Sequence, residues 1–98
     1  MEIKQKDNGT TGMFYIEQYA DIAAKLSYVW AGNDKILIVH TEVGGALKGK
    51  GVGKQLVGKV VDFAREKKLK IVPVCSFAKN IFDKVEEYCD VLQEQEER

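Results

Sequence analysis

The 98-residue sequence contains few of the residues that define specialised protein classes. Its two cysteines are too few for a disulfide scaffold and lack metal-type spacing, so we expect reduced thiols in a cytoplasmic protein. Lysine and arginine number 15, as do aspartate and glutamate, so no net field attracts nucleic acid. No apolar run approaches the roughly 20 residues of a membrane span, and the N-terminus lacks the apolar core of a signal peptide. We therefore expect neither nucleic acid nor a membrane as partner.

The composition is typical of a single globular domain, which we assign to residues 1–98. Hydrophobic residues make up 45% of the chain, more than disordered proteins contain and enough for one modest core. We expect residues 1–12 and 94–98 to be frayed. An edge strand at residues 3–6, closed by an Asn8-Gly9 hairpin turn, is the alternative at the N-terminus.

The first half of the chain has the period-two alternation of β-strands. Alternation predicts strands over 13–19 and 25–30, with turns at 20–23 and 32–34. A run rich in β-branched residues, 35–43, predicts a central strand. Strands joined by tight turns favour an antiparallel meander.

The second half predicts a β-α-β crossover, which gives an α/β fold. Apolar residues recurring at intervals of three and four predict an amphipathic helix over 52–67. Residues 70–75 predict a further strand. The order strand, helix, strand predicts a right-handed crossover, which places this strand parallel to 35–43. Ser76 is the expected N-cap of a further helix, and the acidic tail from residue 86 is compatible with helix. The side chains expected to point inward from that helix are Phe77, Ile81 and Phe82.

A segment rich in glycine and lysine joins the two parallel strands. It runs Glu-Val-Gly-Gly-Ala-Leu-Lys-Gly-Lys-Gly-Val-Gly-Lys from Glu42 to Lys54. Strand, glycine-rich turn and helix direct backbone N–H groups at one anion, and alternate glycines let a phosphate approach the main chain. No acidic residue occurs between Glu42 and Asp62. We therefore predict a phosphate site formed by Lys48, Gly49, Lys50, Gly51, Val52, Gly53 and Lys54.

Two common phosphate motifs fit this segment poorly. A dinucleotide-binding Gly-x-Gly-x-x-Gly would need glycine where Lys54 stands. A P-loop would need serine or threonine where Gly51 follows Gly49-Lys50. A third pattern, (Gln/Arg)-x-x-Gly-x-(Gly/Ala), is matched with one change by Lys48-Gly-Lys-Gly-Val-Gly53.

That third pattern is the pyrophosphate loop of the GNAT acetyltransferase superfamily, and its context here is similar. The chain resembles a particularly small GNAT-like family through His40-Thr-Glu-Val, the glycine loop and the Cys75-Ser-Phe-Ala-Lys run. The resemblance implies a GNAT-like fold with two splayed parallel strands, a C-terminal helix and acetyl-CoA as cofactor. It implies that the pantetheine arm pairs with the backbone of Glu42 and Val43. We also assign Ser76 to the cofactor site.

Two departures from the superfamily bear on activity. Larger members carry two acceptor-binding helices after the first strand, and the gap near 20–23 cannot hold them. The resemblance also places Phe82 in the slot of a tyrosine that protonates the departing thiolate, and Phe82 has no proton to donate. These departures leave open a non-catalytic acyl-CoA-binding or sensing module that acts through a protein partner.

Cys75 and His40 are the candidate catalytic residues. Cys75 ends a strand and precedes a helix, a place that favours the nucleophilic thiolate and hence transfer of acetyl to its sulfur. His40, on the neighbouring strand, is a candidate base towards Cys75 or an incoming amine. Each residue also has a purely structural interpretation. The acceptor is an unknown amine or protein, and we expect a monomer or weak dimer.

Overall fold

The described part of the chain, residues 2–93 in a computed structural model, forms a five-stranded sheet packed against two helices. The strands are β1 (Lys4–Asp7), β2 (Thr11–Gln18), β3 (Asp21–Trp30), β4 (Lys35–Val43) and β5 (Lys70–Pro73). Their order in the sheet follows the chain, β1-β2-β3-β4-β5. The first three pairs are antiparallel and β4–β5 is parallel. The predicted α/β fold class is therefore confirmed.

Two helices and two short 3₁₀ segments complete the structure. They are α1 (Val52–Lys67), α2 (Ser76–Lys84) and the 3₁₀ segments Gly45–Leu47 and Glu86–Tyr88. Buried side chains from both helices and from one face of the sheet form a single hydrophobic core. Within residues 2–93 neither helix is long and apolar enough to cross a membrane.

Helix α1 is fixed to the sheet by its apolar stripe. Each side chain of the stripe is at most 1% exposed, and burying one contributes about 1.5–3 kcal/mol for valine or leucine. The helix has the bounds that its periodicity predicts. Because the stripe starts at the first helical residue, it also holds the glycine-rich segment in place. The residues of the stripe are Val52, Leu56, Val57, Val60, Val61 and Ala64.

The N-terminal segment is an edge strand, the alternative to a frayed start. Lys4–Asp7 pairs with β2 through the register Lys4↔Tyr15 to Asp7↔Gly12. Asn8 closes the hairpin, since its Oδ1 accepts hydrogen bonds from the N–H groups of Thr10 and Thr11, each at 2.9 Å. The pairing of β1 leaves the β2 edge covered.

Only β4 has the predicted strand boundaries: β1 and β2 differ by one or two residues at each end, and β3 and β5 differ for reasons that the structure shows. The turn expected at 20–23 is wrong, because β3 begins at Asp21 and only Tyr19 and Ala20 turn the chain. Both have positive φ, +54° and +65°, the backbone that matches strand twist in a two-residue hairpin. Strand β5 ends at Pro73 and not at residue 75, since proline has no N–H to continue a ladder.

The C-terminal segment is not the continuous helix that its acidic composition favours. After the short 3₁₀ segment the chain runs along the free edge of β5. The Ile71 N–H donates to the Val91 carbonyl at 2.7 Å, and the Gln93 N–H donates to the Ile71 carbonyl at 2.8 Å. Satisfying edge backbone groups at Ile71 outweighs local helix propensity there. The expectation of fraying over 94–98 falls outside the described residues.

A polar cluster fastens β1 to the core. The Tyr28 hydroxyl and the Trp30 indole N–H donate to Asp7 Oδ2 at 2.6 and 2.9 Å, and the Gly9 N–H donates to Oδ1 at 2.7 Å. Tyr28 reaches Asp7 across Gly12, where a Cβ atom would lie 2.8 Å from Tyr28 Cε1. Burial raises the pKa of the Asp7 carboxyl, but the hydrogen bonds from Tyr28, Gly9 and Trp30 outweigh it and lower that pKa.

This cluster predicts a pH-dependent stability. We expect Asp7→Asn to lower the free energy of unfolding by about 1–2 kcal/mol at pH near 6, because one strong acceptor is lost. The lowered pKa means that the contribution of the ionised Asp7 is complete above about pH 4 and is lost as pH falls through the folded-state pKa. Urea unfolding of both proteins at about pH 6 and about pH 2.5 measures this. An equal difference at both pH values, or the same loss in the exposed control Asp83→Asn, would contradict it.

Candidate functional site

The two parallel strands separate halfway along β4. Their register runs from Lys35↔Lys70 to Ile38↔Pro73 and stops there. The Ile38 carbonyl accepts the N–H groups of Val74 and Cys75 at 2.9 and 3.0 Å. Beyond Ile38 the remaining residues of β4 have no partner on β5, so a gap opens between the strands. The splayed pair expected from the resemblance is therefore part of the fold.

A β-bulge at Val39 decides which side chains of β4 face the core. On β3, Tyr28 pairs with Ile38 while Ser27 pairs with His40, so Val39 is the extra residue. Directly opposed residues share a face of the sheet. Beyond the bulge Thr41 lies opposite the buried Leu26, so Thr41 faces the helices. Without the extra residue, His40 would continue on the core face after Ile38.

Cys75 lies at the point where β5 leads into α2. It is the N-cap of α2, although Ser76 was predicted there, and Ser76 is the exposed first residue of the helix. Serine cannot cap here because the Cys75 carbonyl already accepts the Lys79 N–H at 3.0 Å. The half-buried Cys75 Sγ lies 3.5 Å from Thr41 Oγ1 across the gap. A thiol at an uncapped helix N-terminus with a hydroxyl partner is thus placed in the gap.

His40 lies on the other side of the sheet. Its Nε2 is 3.6 Å from Glu42 Oε1, and both side chains are more than half exposed. No hydrogen bond among residues 2–93 joins His40 to Cys75, because the alternation of β4 puts His40 and Thr41 on opposite faces. The structure therefore brings together His40 and Glu42, and separately Thr41 and Cys75.

The segment after β4 is held at both ends. The Gly44 N–H donates to the Ala23 carbonyl at 2.7 Å, and a Cβ atom on Gly44 would lie 2.8 Å from that oxygen. Leu47 is 3% exposed and belongs to the core. Val43 is partly buried against the same core. The exposed stretch from residue 48 to residue 51 therefore starts and ends on fixed points.

The start of α1 presents free backbone N–H groups. Gly51 is the N-cap with φ +72°, and Gly49 has φ +79°, values that favour glycine. The first helical hydrogen bond joins the Gln55 N–H to the Gly51 carbonyl at 3.1 Å. The four N–H groups from Gly51 to Lys54 thus have no partner within the helix. Such an N-terminus suits an anion.

The charges around α1 suit the same ligand. Lys48, Lys50 and Lys54 are exposed, and the first turn of α1 has no acidic residue. Each cation near a helix N-terminus is repelled by about 0.3–1 kcal/mol, and a bound anion would reverse that sign. No group of three or more potential metal ligands occurs in residues 2–93. The arrangement is therefore suited to a phosphate that accepts hydrogen bonds from backbone N–H groups and lies among lysine side chains.

Gly53 differs from the other two glycines of the loop. It is buried, and a Cβ atom there would lie 2.7 Å from Phe77 Cε2, whereas a Cβ on Gly49 or Gly51 would meet nothing within 4 Å. Phe77 is 40% exposed, so its predicted inward position is wrong, while Ile81 and Phe82 are buried as expected. The Phe77 ring lies against the backbone of α1 at Gly53 and not in the core between helix and sheet.

Sequence reasoning missed two contacts at this place, that of Thr41 with Cys75 and that of Phe77 with the backbone of α1. The alternation of β4 indicated that Thr41 opposes His40 across the strand, but not that it meets Cys75. The connection that would have to contain the acceptor-binding helices was also predicted at the wrong place in the chain. With β1 present, the connection after the first strand is Asn8–Thr10 and not 20–23, and three residues cannot form two helices.

Comparison with known proteins identifies the family. Residues 13–91 match the family described as GCN5-related N-acetyl-transferase. A GCN5-like protein from Staphylococcus aureus is 42% identical, with 99% of this chain and 92% of that chain covered and a TM-score of 0.77. A search of curated proteins found no match.

More distant structures share the fold. A ribosomal-protein-alanine N-acetyltransferase from Brucella melitensis biovar Abortus 2308 is 14% identical, with a TM-score of 0.66 and coverage of 93% of this chain and 67% of that one. A GNAT family acetyltransferase from Elizabethkingia anophelis with acetyl-CoA bound is 16% identical, with a TM-score of 0.60 and coverage of 76% and 52%.

A parallel pair that diverges beside a glycine-rich helix start defines a GNAT-like α/β domain. The chain belongs to the GCN5-related N-acetyltransferase family. The resemblance of the sequence to GNAT-like proteins is therefore confirmed.

Proposed function

We propose that this protein binds acetyl-CoA and transfers its acetyl group, by way of Cys75, to an amine or protein acceptor. The observation that carries the proposal is the convergence of two features. Four free N–H groups among lysines begin α1, and the gap between β4 and β5 leads to the Cys75 thiol. Family membership supports the same cofactor, and the Elizabethkingia anophelis relative has acetyl-CoA bound.

The cofactor would be bound by backbone groups along its length. Its diphosphate accepts hydrogen bonds from the N–H groups of residues 51–54 and is attracted electrostatically by the lysine side chains. Its pantetheine amides pair with the free backbone edge of Glu42 and Val43 in the gap, as an added strand would. The acetyl thioester then lies near Cys75 and Ser76, between the two helix N-termini.

The chemical step is acyl transfer between sulfur atoms. The Cys75 thiolate attacks the carbonyl carbon, the carbon–sulfur bond to coenzyme A breaks, and coenzyme A leaves as its thiolate. An amine then attacks the acetyl-cysteine, forms an amide and releases the Cys75 thiolate, while the proton lost by the amine passes to a base. Thr41 donates a hydrogen bond to the Cys75 thiolate, which compensates for partial burial of the charge.

His40 is then a base for the amine and not for the thiol. It shares the face of the sheet opposite the helices with Glu42, whose Oε1 lies 3.6 Å from Nε2, longer than a hydrogen bond. An amine that approaches the gap from this face meets His40 before it meets the thioester. Deprotonation of an ammonium acceptor is the step for which an exposed imidazole is suited.

Thiol labelling tests the placement of Cys75. We expect iodoacetamide to label the half-buried Cys75 faster than the exposed Cys89, and acetyl-CoA to protect Cys75 alone. Thr41→Val should slow labelling of Cys75 about tenfold, because a hydrogen bond to a charged group is lost. Peptide mass spectrometry follows both sites in each sample. Faster labelling of Cys89, or no effect of acetyl-CoA, would contradict an active-site thiol.

The proposal as a whole is tested by incubating the protein with acetyl-CoA and measuring intact mass and released coenzyme A. We expect one acetyl group on the protein, and further release of coenzyme A when an acceptor amine is added. A second candidate is a sensing module without catalysis. It is favoured by the buried Phe82 at the position of the general-acid tyrosine, and by the connection Asn8–Thr10, which is too short for acceptor-binding helices. Binding of acetyl-CoA with neither adduct nor release would support that candidate.

A further inference from the structure

Phe77 is partly exposed to solvent although its ring contacts helix α1. It lies in the first turn of α2, two residues after Cys75, and is one of the few large hydrophobic side chains left exposed, at 40%. Its ring nevertheless rests on the backbone of α1 at Gly53. The ring thus contacts the start of α1, while 40% of the residue stays exposed.

The contact explains the glycine at position 53. Gly53 lies within α1 and has no positive φ, so its conformation does not require glycine. A Cβ atom there would instead overlap the Phe77 ring, at 2.7 Å from Cε2. Gly49 and Gly51 show the reverse, with positive φ and free space around a Cβ atom. The constraint on residue 53 therefore comes from a ring and not from the turn.

The loop pattern itself accepts alanine at this slot, since it reads (Gln/Arg)-x-x-Gly-x-(Gly/Ala). In this chain Phe77 removes that choice. Glycine at 53 and phenylalanine at 77 are therefore a matched pair. The initial interpretation, that the Gly53 hydrogen makes room for a phosphate, is not needed to explain this position.

We propose that Phe77 is an apolar wall of the acyl-CoA site, held in place by the missing side chain of Gly53. This inference rests on the proposed function. Phe77 contacts the second residue of α1 and lies two residues after Cys75, so it stands between the expected positions of the diphosphate and the thioester. The exposed part of the ring covers carbon atoms of the pantetheine arm and keeps water from the thioester.

A three-variant binding experiment separates this pairing from a phosphate role of Gly53. Calorimetry measures coenzyme A and, as a probe with a diphosphate but no pantetheine arm, ADP. Phe77→Ala should weaken coenzyme A binding about tenfold, because roughly half of a buried phenylalanine contact is lost. ADP affinity should stay unchanged. Gly53→Ala should give the same tenfold loss by displacing the ring, and Gly53→Ala/Phe77→Ala should lose nothing further.

The control and the contrary outcomes are distinct. Ile22→Ala removes an apolar side chain of matching exposure, 40%, on β3 and should bind coenzyme A normally. A further loss on adding Gly53→Ala to Phe77→Ala, or an equal loss for ADP in Phe77→Ala, would overturn the pairing. So would unchanged coenzyme A affinity in Phe77→Ala. No binding by the wild-type protein would instead overturn the proposed function, and the wall with it.

Discussion

Cys75→Ala should bind acetyl-CoA and yet gain no acetyl group, the largest change in chemistry that one substitution produces in this protein. The loop at the start of α1 and the free edge of β4 supply the expected cofactor contacts, and neither depends on the Cys75 side chain. In the proposed mechanism the Cys75 sulfur carries the acetyl group, and alanine has no nucleophile to replace it. We expect the acetyl adduct to disappear and amine-dependent release of coenzyme A to fall to background.

Intact-mass spectrometry after incubation with acetyl-CoA measures the adduct, and calorimetry measures retained binding. The matched control is Cys89→Ala, which removes the exposed thiol near the C-terminus and should keep the adduct. Loss of the half-buried Cys75 sulfur should lower the free energy of unfolding by only about 1 kcal/mol. An adduct that persists in Cys75→Ala, or one lost in Cys89→Ala, would exclude Cys75 as the acyl carrier.

Gly51→Val should weaken coenzyme A binding about a hundredfold while the fold survives. Gly51 has φ +72°, a conformation that costs a β-branched residue about 1–2 kcal/mol. Relief of this strain would turn the N-cap and misdirect the N–H groups of residues 51–54. Losing two charge-assisted hydrogen bonds to phosphate, at about 1.5 kcal/mol each, corresponds to the expected factor.

The matched control for this prediction is Gly45→Val. Gly45 lies in the same loop and its added Cβ would also meet nothing within 4 Å, but its φ is not positive. Calorimetric titration with coenzyme A and a thermal melt of each variant separate binding from stability. Equal affinities for the two variants would show that the conformation of Gly51 is irrelevant to the ligand.

The parts of the fold that the sequence predicts are those with a strong and uninterrupted period. Strand β4 and helix α1 have the predicted bounds because the first is densely β-branched and the second keeps its apolar stripe for the whole length. The position of the glycine-rich segment, between the end of a strand and the start of a helix, could be predicted from these two elements. The short edge strand β1 was one of two alternatives, since four exposed residues have no hydrophobic period.

What local patterns could not show is how side chains meet across elements. The bulge at Val39 leaves no signal in composition, and yet it turns Thr41 towards Cys75 and leaves His40 on the open face. The N-cap of α2 also depended on a long-range contact, the hydrogen bond from the Cys75 N–H to Ile38. These features are set by the pairing of distant strands, which a single sequence does not report.

The match between Gly53 and Phe77 has the same origin. The loop sequence alone suggests that Gly53 serves phosphate approach, because the ring that occupies the place of a side chain belongs to another helix. Contacts between the starts of α1 and α2 become visible only when both helices are packed on the sheet. The loop and the helix are therefore predicted correctly, while the reason for glycine at position 53 is not.

The most direct test of the account is an amide chemical-shift map during titration with coenzyme A. We predict the largest shifts at residues 48–54, with a second group at Val43 and Cys75 where the strands diverge, and little change at the distant Asp7 cluster. Shifts confined to other surfaces at saturating coenzyme A, with residues 48–54 unchanged, would contradict both the transferase and the sensing module.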